Sequence, residues 1–242
     1  MNLTFDIGNT AAKWATFEGD TLVASGRLEI EGCGLEAVSG EWKDVEHAML
    51  CASGDATAFV EQLAKLPFSL TTLTSDTPLP IKLDYKTPAT LGPDRLAAAC
   101  GAWALHKGEP CLIVDAGTCV TVDYLDAAGT YHGGAIMPGV AMKLKALHAY
   151  TAKLPLVVVE AGVKVPVPGR STEECIVAGT LGETQMAVAG FVTLYKGVAH
   201  GLKVLVTGGD AELVVPHGTE GREHVPHLTM IGLNAILQQM KK

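Results

Sequence analysis

The sequence is short of the features that mark several large protein classes. Its six cysteines include no C-x-x-C pair and lie in apolar or Ala/Gly-rich surroundings. We therefore expect buried free thiols in a reducing compartment, and neither a disulfide framework nor a zinc site. The formal net charge is −8 and no Lys/Arg cluster reverses it locally, which argues against a nucleic-acid partner.

Targeting and membrane signals are also missing. The N-terminus has no basic segment followed by an apolar core, so we expect no signal peptide. No uncharged apolar run approaches the roughly 20 residues that a membrane-spanning helix needs. We therefore predict a cytoplasmic protein without a membrane partner.

Several catalytic motifs are absent as well. The dipeptide Gly-Lys does not occur, which excludes a P-loop lysine. The sequence contains no His-Arg-Asp of protein kinases, no G-x-S-x-G nucleophile elbow and no H-E-x-x-H zinc motif. The eight histidines are scattered along the chain, so no histidine is placed as a base for a serine or cysteine nucleophile.

The most informative stretch that is present runs from Leu112 to Asp123. Its first three residues predict a buried strand that ends at Asp115, and Gly117 and Thr118 then turn the backbone. The carboxylate is a hard oxygen ligand, and glycine and threonine in a turn suit phosphate oxygens. The same pattern occurs at the N-terminus, where a strand leads into Asp6-Ile-Gly-Asn-Thr10.

The two strand–Asp-x-Gly turns belong to a repeated order of elements. In each half a strand, the Asp-x-Gly turn and a second strand are followed by a hairpin turn, at Glu18-Gly-Asp20 and at Asp126-Ala-Ala-Gly129, and by a third strand. This order predicts an internal duplication whose second copy begins near residue 110. With the glycine turn Thr207-Gly-Gly-Asp210, it indicates an α/β nucleotide fold like that of actin and the sugar kinases.

Three further side chains are candidates for chemistry. Lys13 follows the first turn closely enough to reach back to a phosphate, although a lone strand lysine is usually only solvated. Asp94 and Arg95 stand side by side at a predicted loop–helix junction. An aspartate there is also stabilised by the helix dipole alone, but the adjacent arginine favours a pair that holds a polar substrate. Asp94 is then the available base for an acceptor alcohol.

Glycine and proline also set the predicted connections. We expect residues 71–86 to be irregular and Gly133 to Gly139 to form a flexible loop. A helix should begin near Ser171 and Thr172 and continue to about His200. A closing core helix is predicted from His227 to Met240.

Taken together, these motifs resemble the type III pantothenate kinases over nearly the whole chain. The resemblance lies in Asp6-Ile-Gly-Asn-Thr-Ala-Ala-Lys13, Tyr85, Gly92-Pro-Asp-Arg95, Asp115-Ala-Gly-Thr118, Gly134-Ala-Ile-Met-Pro-Gly139, Gly169-Arg-Ser-Thr172 and Thr207-Gly-Gly-Asp-Ala211. It implies a duplicated ribonuclease-H-like fold, with two mixed sheets flanked by helices and a nucleotide cleft between them. Residues 1–108 and 109–242 would form the two halves.

The resemblance also implies an activity and its residues. The reaction would be ATP-dependent phosphorylation of pantothenate to 4′-phosphopantothenate, the first step towards coenzyme A, with Asp94 as proton acceptor. ATP would be bound by Asp6, Ile7, Gly8, Asn9, Thr10, Ala11, Ala12, Lys13 and Thr118. Pantothenate would be bound by Tyr85, Gly92, Pro93, Asp94, Arg95 and Thr172. Asp115 would hold the monovalent cation, K⁺ or NH₄⁺, and Mg²⁺ would accompany ATP.

The family forms homodimers, and the Ala/Gly-rich helices predicted at 96–104 and 175–190 suit such an interface. Pro93 is a departure, since the family often has a small or β-branched residue there; it would stiffen the loop before Asp94. Two other readings stay open. The acceptor could be another small molecule, in a kinase or phosphatase of the same superfamily. The protein could also be a nucleotide-binding regulator without turnover.

Overall fold

The computed structural model describes residues 1–8, 11–29, 39–160, 162–215 and 218–241. The chain divides into two compact units. The first comprises Met1–Lys107, Gly129–Tyr131 and His227–Lys242, and the second comprises Gly108–Ala128 and His132–Pro226. The C-terminal residues thus group with the first unit, while the division at residue 108 into two ribonuclease-H-like halves stays a prediction.

The strands of the described chain are β1 (Asn2–Ile7), β2 (Ala11–Glu18), β3 (Thr21–Glu29), β4 (His47–Ala52), β5 (Ser69–Thr72), β6 (Lys82–Leu83), β7 (Cys111–Ala116), β8 (Cys119–Leu125), β9 (Thr130–Pro138), β10 (Lys203–Thr207) and β11 (Arg222–His224). The α-helices are α1 (Thr57–Leu63), α2 (Pro93–Leu105), α3 (Val140–Ala149), α4 (Thr172–Val177), α5 (Glu183–Lys196), α6 (Ala211–Val214) and α7 (Leu228–Met240). A π-helical turn, Ala178–Gly182, joins α4 to α5, and short 3₁₀ turns occupy Ser39–Trp42 and Pro88–Thr90.

The first unit is built on a mixed sheet with the order β3-β2-β1-β4-β5. Strands β1, β2 and β3 are antiparallel neighbours, whereas β4 is parallel to β1 and β5 to β4. The central strand β1 is buried on both faces: Leu3, Phe5 and Ile7 on one face and Thr4 on the other are fully inaccessible to solvent. Helices α2 and α7 pack so closely that a Cβ on Gly232 would collide with the carbonyl of Ala97.

The second unit repeats this plan with strands β11-β10-β7-β8-β9 in order. Strand β8 is antiparallel to β7, while β10 is parallel to β7 and β11 to β10. Counted from β9 to β11, these five strands are the third, second, first, fourth and fifth of the set β7 to β11, which is the order of β3, β2, β1, β4 and β5 in the first sheet. The predicted α/β class, with two mixed sheets flanked by helices, is confirmed.

One predicted connection is largely confirmed and another is wrong. Residues 71–86 are irregular except for the end of β5 and the short strand β6, which pairs in parallel with Thr130 and Tyr131. The segment from Gly133 belongs to β9 as far as Pro138 and is not a flexible loop. A Cβ on Gly134 would collide with the carbonyl of Val122, so this glycine permits a close approach within the unit.

The helical run Thr172–Lys196 is shorter than predicted and is interrupted by the π-helical turn. By length and mean hydropathy, 1.3, it is apolar enough to cross a membrane. Core helices of soluble proteins pass the same test, and 44% of its most apolar 18 residues is buried within the chain. The run therefore carries little weight as a membrane span.

The cysteines of the described residues are free, as predicted, but not all are buried. Cys51, Cys100 and Cys111 are buried, whereas Cys119 and Cys175 are exposed. The expectation of burial was wrong for these two because it rested on apolar sequence neighbours. Cys33 lies outside the described residues.

Candidate active site

The first polar cluster forms where β1 ends, in the first unit. Asp6 pairs in register with Lys13 on β2 and with Cys51 on β4, so three different strands supply neighbouring side chains. The backbone N–H of Ser53 donates to the Ile7 carbonyl at 3.0 Å. The N–H of Gly8 donates to the Ala11 carbonyl, also at 3.0 Å. These two bonds hold the backbone just after Asp6, one to the chain that follows β4 and one to the start of β2.

Asp94 joins this cluster from helix α2. Pro93 takes the first helical position, where its missing N–H costs nothing, and Asp94 takes the second. One carboxylate oxygen, Oδ1, accepts a hydrogen bond from the N–H of Arg95 at 2.9 Å, which orients the half-buried side chain. The Pro-Asp sequence therefore places a carboxylate in the first turn of α2.

The electrostatics of Asp6 show that these groups share one region. Burial raises the pKa of Asp6 above its ordinary value, the Lys13 ammonium lowers it, and the negative charge of Asp94 raises it again. The pKa of His227 is lowered, first by burial and then by the positive charge of Lys13. Asp6 thus lies within electrostatic reach of Lys13 and Asp94, and His227 lies within reach of Lys13.

The second polar cluster surrounds the Asp115 turn in the second unit. Gly117 N–H donates to the Cys119 carbonyl at 2.9 Å, and Gly139 N–H donates to the Thr118 carbonyl at 3.0 Å. The Asp210 N–H donates to the Ala116 carbonyl at 2.9 Å. Three glycine-containing segments therefore meet at the end of β7.

Gly208 fits this second cluster only because it lacks a side chain. Its φ of +94° lies in the left-handed region, and a Cβ there would come within 2.5 Å of Asp115 Oδ1 and collide with the Ala116 carbonyl. The backbone of the Thr207-Gly-Gly-Asp210 turn is thus packed directly against the Asp115 turn. Opposite Asp115 in register stand Thr121 on β8 and Thr207 on β10.

The remaining predicted residues are distributed over both units. In the first unit, the Tyr85 ring lies 6.0 Å from that of Tyr131, and Arg95 is almost fully buried. In the second unit, Thr118 and Thr172 are exposed, the latter at the start of α4, which is capped by the Ser171 hydroxyl.

Four of the predicted ATP-binding residues offer no described side chain to a ligand. The side chains of Ile7 and Ala12 belong to the core of the first unit, so only their backbone is available to a ligand. Asn9 and Thr10 lie outside the described residues. Cys51, which contacts Asp6, was not predicted, because it stands in an apolar strand and carries no sequence signal of its own.

This site would fit a metal ion that binds together with a phosphate group. Among the described residues, no group of three or more His, Cys, Asp or Glu side chains is placed to hold a metal ion. Mg²⁺ is normally held by one or two carboxylates, substrate phosphates and water, and does not need a cage made only of protein. The carboxylate of Asp6 is a donor of that kind.

The profile of the type III pantothenate kinase family matches residues 2–194. The chain belongs to this family. A type III pantothenate kinase from Bacteroides fragilis is 41% identical over 214 residues, covering 87% of this chain and 86% of its own. One from Cytophaga hutchinsonii is 38% identical over 239 residues and covers 98% of each chain. The family phosphorylates pantothenate in coenzyme A biosynthesis.

Solved structures of lower identity show the fold. The activator of the 2-hydroxyisocaproyl-CoA dehydratase from Clostridium difficile, with bound ADPNP, is similar with a TM-score of 0.53 and 14% identity over 99% of this chain and 97% of its own. A ROK family glucokinase from Streptomyces griseus, in complex with glucose and AMPPNP, has a TM-score of 0.51 and 14% identity, covering 98% of each chain. The actin/sugar-kinase-like fold predicted for this member of the pantothenate kinase family is thereby confirmed.

Proposed function

We propose that this protein transfers the γ-phosphate of ATP to pantothenate, giving 4′-phosphopantothenate, with Asp94 as the proton acceptor. Membership in the type III pantothenate kinase family carries this proposal. The cluster of Asp6, Lys13 and Asp94 supports it, because phosphoryl transfer needs a cation for the phosphates and a carboxylate for the hydroxyl proton.

The first turn binds the phosphates of ATP in this proposal. The backbone from Asp6 to Lys13 approaches the phosphates, and the Lys13 ammonium offsets their charge. Asp6 would hold the Mg²⁺ that accompanies ATP. The bound Mg²⁺ would neutralise charge that develops on the transferring phosphoryl group. The partial burial of Asp6 strengthens its interaction with a cation.

Asp94 performs the proton transfer. Its backbone-anchored carboxylate faces the acceptor hydroxyl and takes the proton as the hydroxyl oxygen bonds to the γ-phosphorus and ADP leaves. Arg95, a planar donor, pairs with the pantothenate carboxylate. Tyr85, Gly92, Pro93 and Thr172 complete the pantothenate site.

In the second unit, Thr118 contacts ATP and Asp115 binds K⁺ or NH₄⁺. The family resemblance is the source of the cation assignment. The position of Asp115 near the end of β7 supports it, because a carboxylate is a hard oxygen donor that suits such a cation.

Two copies of the chain form the active protein in this proposal. Exposed apolar side chains of the second unit support a homodimer: Met142, Tyr150, Met186, Leu194 and Val198. We predicted that the small residues of α2 would suit the dimer interface. They are instead buried within the first unit, where this helix packs on α7. Light scattering should give about twice the 25.2 kDa chain mass; a monomer at working concentration would contradict the dimer.

ADP release by the purified protein tests the reaction. With Mg-ATP in K⁺ buffer, release should depend on pantothenate, and it should fall when Na⁺ replaces K⁺. A panel of other small alcohols serves as the acceptor control. Release with a different alcohol but not with pantothenate would move the assignment to another kinase of the superfamily. ATP binding without any release would favour a regulator. The cytoplasmic location stays a prediction.

A further inference from the structure

Cys51 is a buried residue in direct contact with the proposed phosphate site. It lies next to the end of β4, opposite Asp6 in the parallel register of β4 and β1, and no part of it is accessible to solvent. Its Sγ lies 3.6 Å from Asp6 Oδ1, within hydrogen-bonding distance for sulfur. The contact joins residues that are 45 positions apart in the chain.

The direction of this hydrogen bond follows from the chemistry of the two groups. An ionised carboxylate only accepts hydrogen bonds, whereas a thiol has an S–H to donate. The Cys51 thiol therefore donates to Asp6 Oδ1, and a neighbour on β4 contacts one oxygen of the carboxylate.

A second buried cysteine of the same unit, Cys100, provides a comparison. Cys100 is also fully buried, on α2, and burial is the cause of the rise in its pKa. Cys51 differs in its contact with a carboxylate. The second sheet has a small polar residue at the matching position, since buried Thr207 pairs in register with Asp115. A side chain with a hydrogen-bond donor thus stands beside the aspartate in both sheets.

We propose that Cys51 is a positioning residue for phosphoryl transfer, whose thiol holds the Asp6 carboxylate in the orientation that receives Mg-ATP. The inference rests on the proposed function, because it assumes that Asp6 faces Mg²⁺ and phosphate. Cys51 itself touches neither ligand. Its loss should therefore affect nucleotide binding before it affects pantothenate.

Three variants separate positioning from packing. Cys51→Val removes the donor and keeps a compact apolar side chain that is somewhat larger. Cys51→Ser keeps a donor, and Cys100→Ala removes a buried thiol elsewhere in the same unit. Calorimetry gives the Kd of Mg-ADP, and steady-state kinetics give KM for ATP and for pantothenate. Thermal melting verifies folding, and Cys51→Ala replaces the valine variant if that one does not fold.

For Cys51→Val we expect Kd for Mg-ADP and KM for ATP to rise about 5- to 10-fold, in line with a weak donor to a charged group. KM for pantothenate should stay within about 2-fold, Cys51→Ser should recover most of the loss, and Cys100→Ala should bind nucleotide normally. Normal Mg-ADP binding by Cys51→Val would overturn the inference, as would equal losses in the serine variant or in Cys100→Ala. Inactive wild-type protein would overturn only the proposed reaction, since the nucleotide-binding comparison does not depend on turnover.

Discussion

The turns at Asp6 and Asp115 occupy the same place in two sheets of the same strand order, yet they have different neighbours. Beside Asp6 the adjacent strands place Lys13 and Cys51, and α2 adds a second carboxylate. Beside Asp115 they place Thr121 and Thr207, and the backbone of the Gly208 turn closes over the site. The charged groups of Lys13 and Asp94 act on the first turn, and the backbone of the Gly208 turn packs closely against the second.

The two turns show which properties follow from the strand framework and which follow from the neighbouring side chains. Strand order and the Asp-x-Gly turn recur in both units, so the duplicated fold accounts for the position of each carboxylate. The residues opposite it in register decide what the carboxylate can bind. We therefore expect proton transfer to depend on the first region and the response to monovalent cations to depend on the second.

The largest effect should come from Asp94→Asn. If the first region carries the proton transfer, kcat falls by roughly 10²–10⁴, as is typical for a general base, while the Kd for Mg-ADP changes little. Single-turnover kinetics and calorimetry measure the two quantities. Asp115→Asn is the matched control, since it should raise the K⁺ concentration for half-maximal activity without this loss of kcat. Full turnover by Asp94→Asn would remove Asp94 from its role.

A smaller but clear effect is expected for Gly208→Ala. The new Cβ would collide with the Ala116 carbonyl at a positive φ, so we expect a loss of about 1–3 kcal/mol in unfolding free energy and weaker nucleotide binding. Gly209→Ala is the control, because nothing lies within 4 Å of a Cβ there. Chemical denaturation of both variants gives the free energies. Equal stability of the two would contradict the close packing of the Gly208 turn against the second turn.

The smallest effect should come from Thr121→Lys, which gives the second turn the cation of the first. A lysine opposite Asp115 should offset its charge and take the place of K⁺, so the activity in Na⁺ relative to K⁺ should rise by about 2- to 5-fold, equivalent to less than about 1 kcal/mol. Thr121→Met controls for length without charge. The activity in Na⁺ relative to K⁺ is the measurement. An unaltered K⁺ response in the lysine variant would count against a cation at Asp115.

Much of the fold followed from local sequence patterns. The strands before Asp6 and Asp115, the hairpins at Gly19 and Gly129, and helix α7 were predicted because periodicity and turn residues act over a few positions. The third strand of the second copy was predicted, but its part from Gly133 to Pro138 was predicted as a loop because Gly134 resembles a loop residue in sequence, although it serves close packing against Val122. The short strands β6 and β11 are too brief to carry a pattern.

The sequence by itself determined that two carboxylates stand at the ends of two strands and that an acid–arginine pair begins a helix. Only the tertiary structure decided which side chains surround each of them. Strand register brings Cys51 to Asp6 across 45 residues, and the Asp94 charge reaches Asp6 because α2 begins nearby. Such neighbours depend on pairing between distant segments, whose energies are set by the packed sheet and not by local composition.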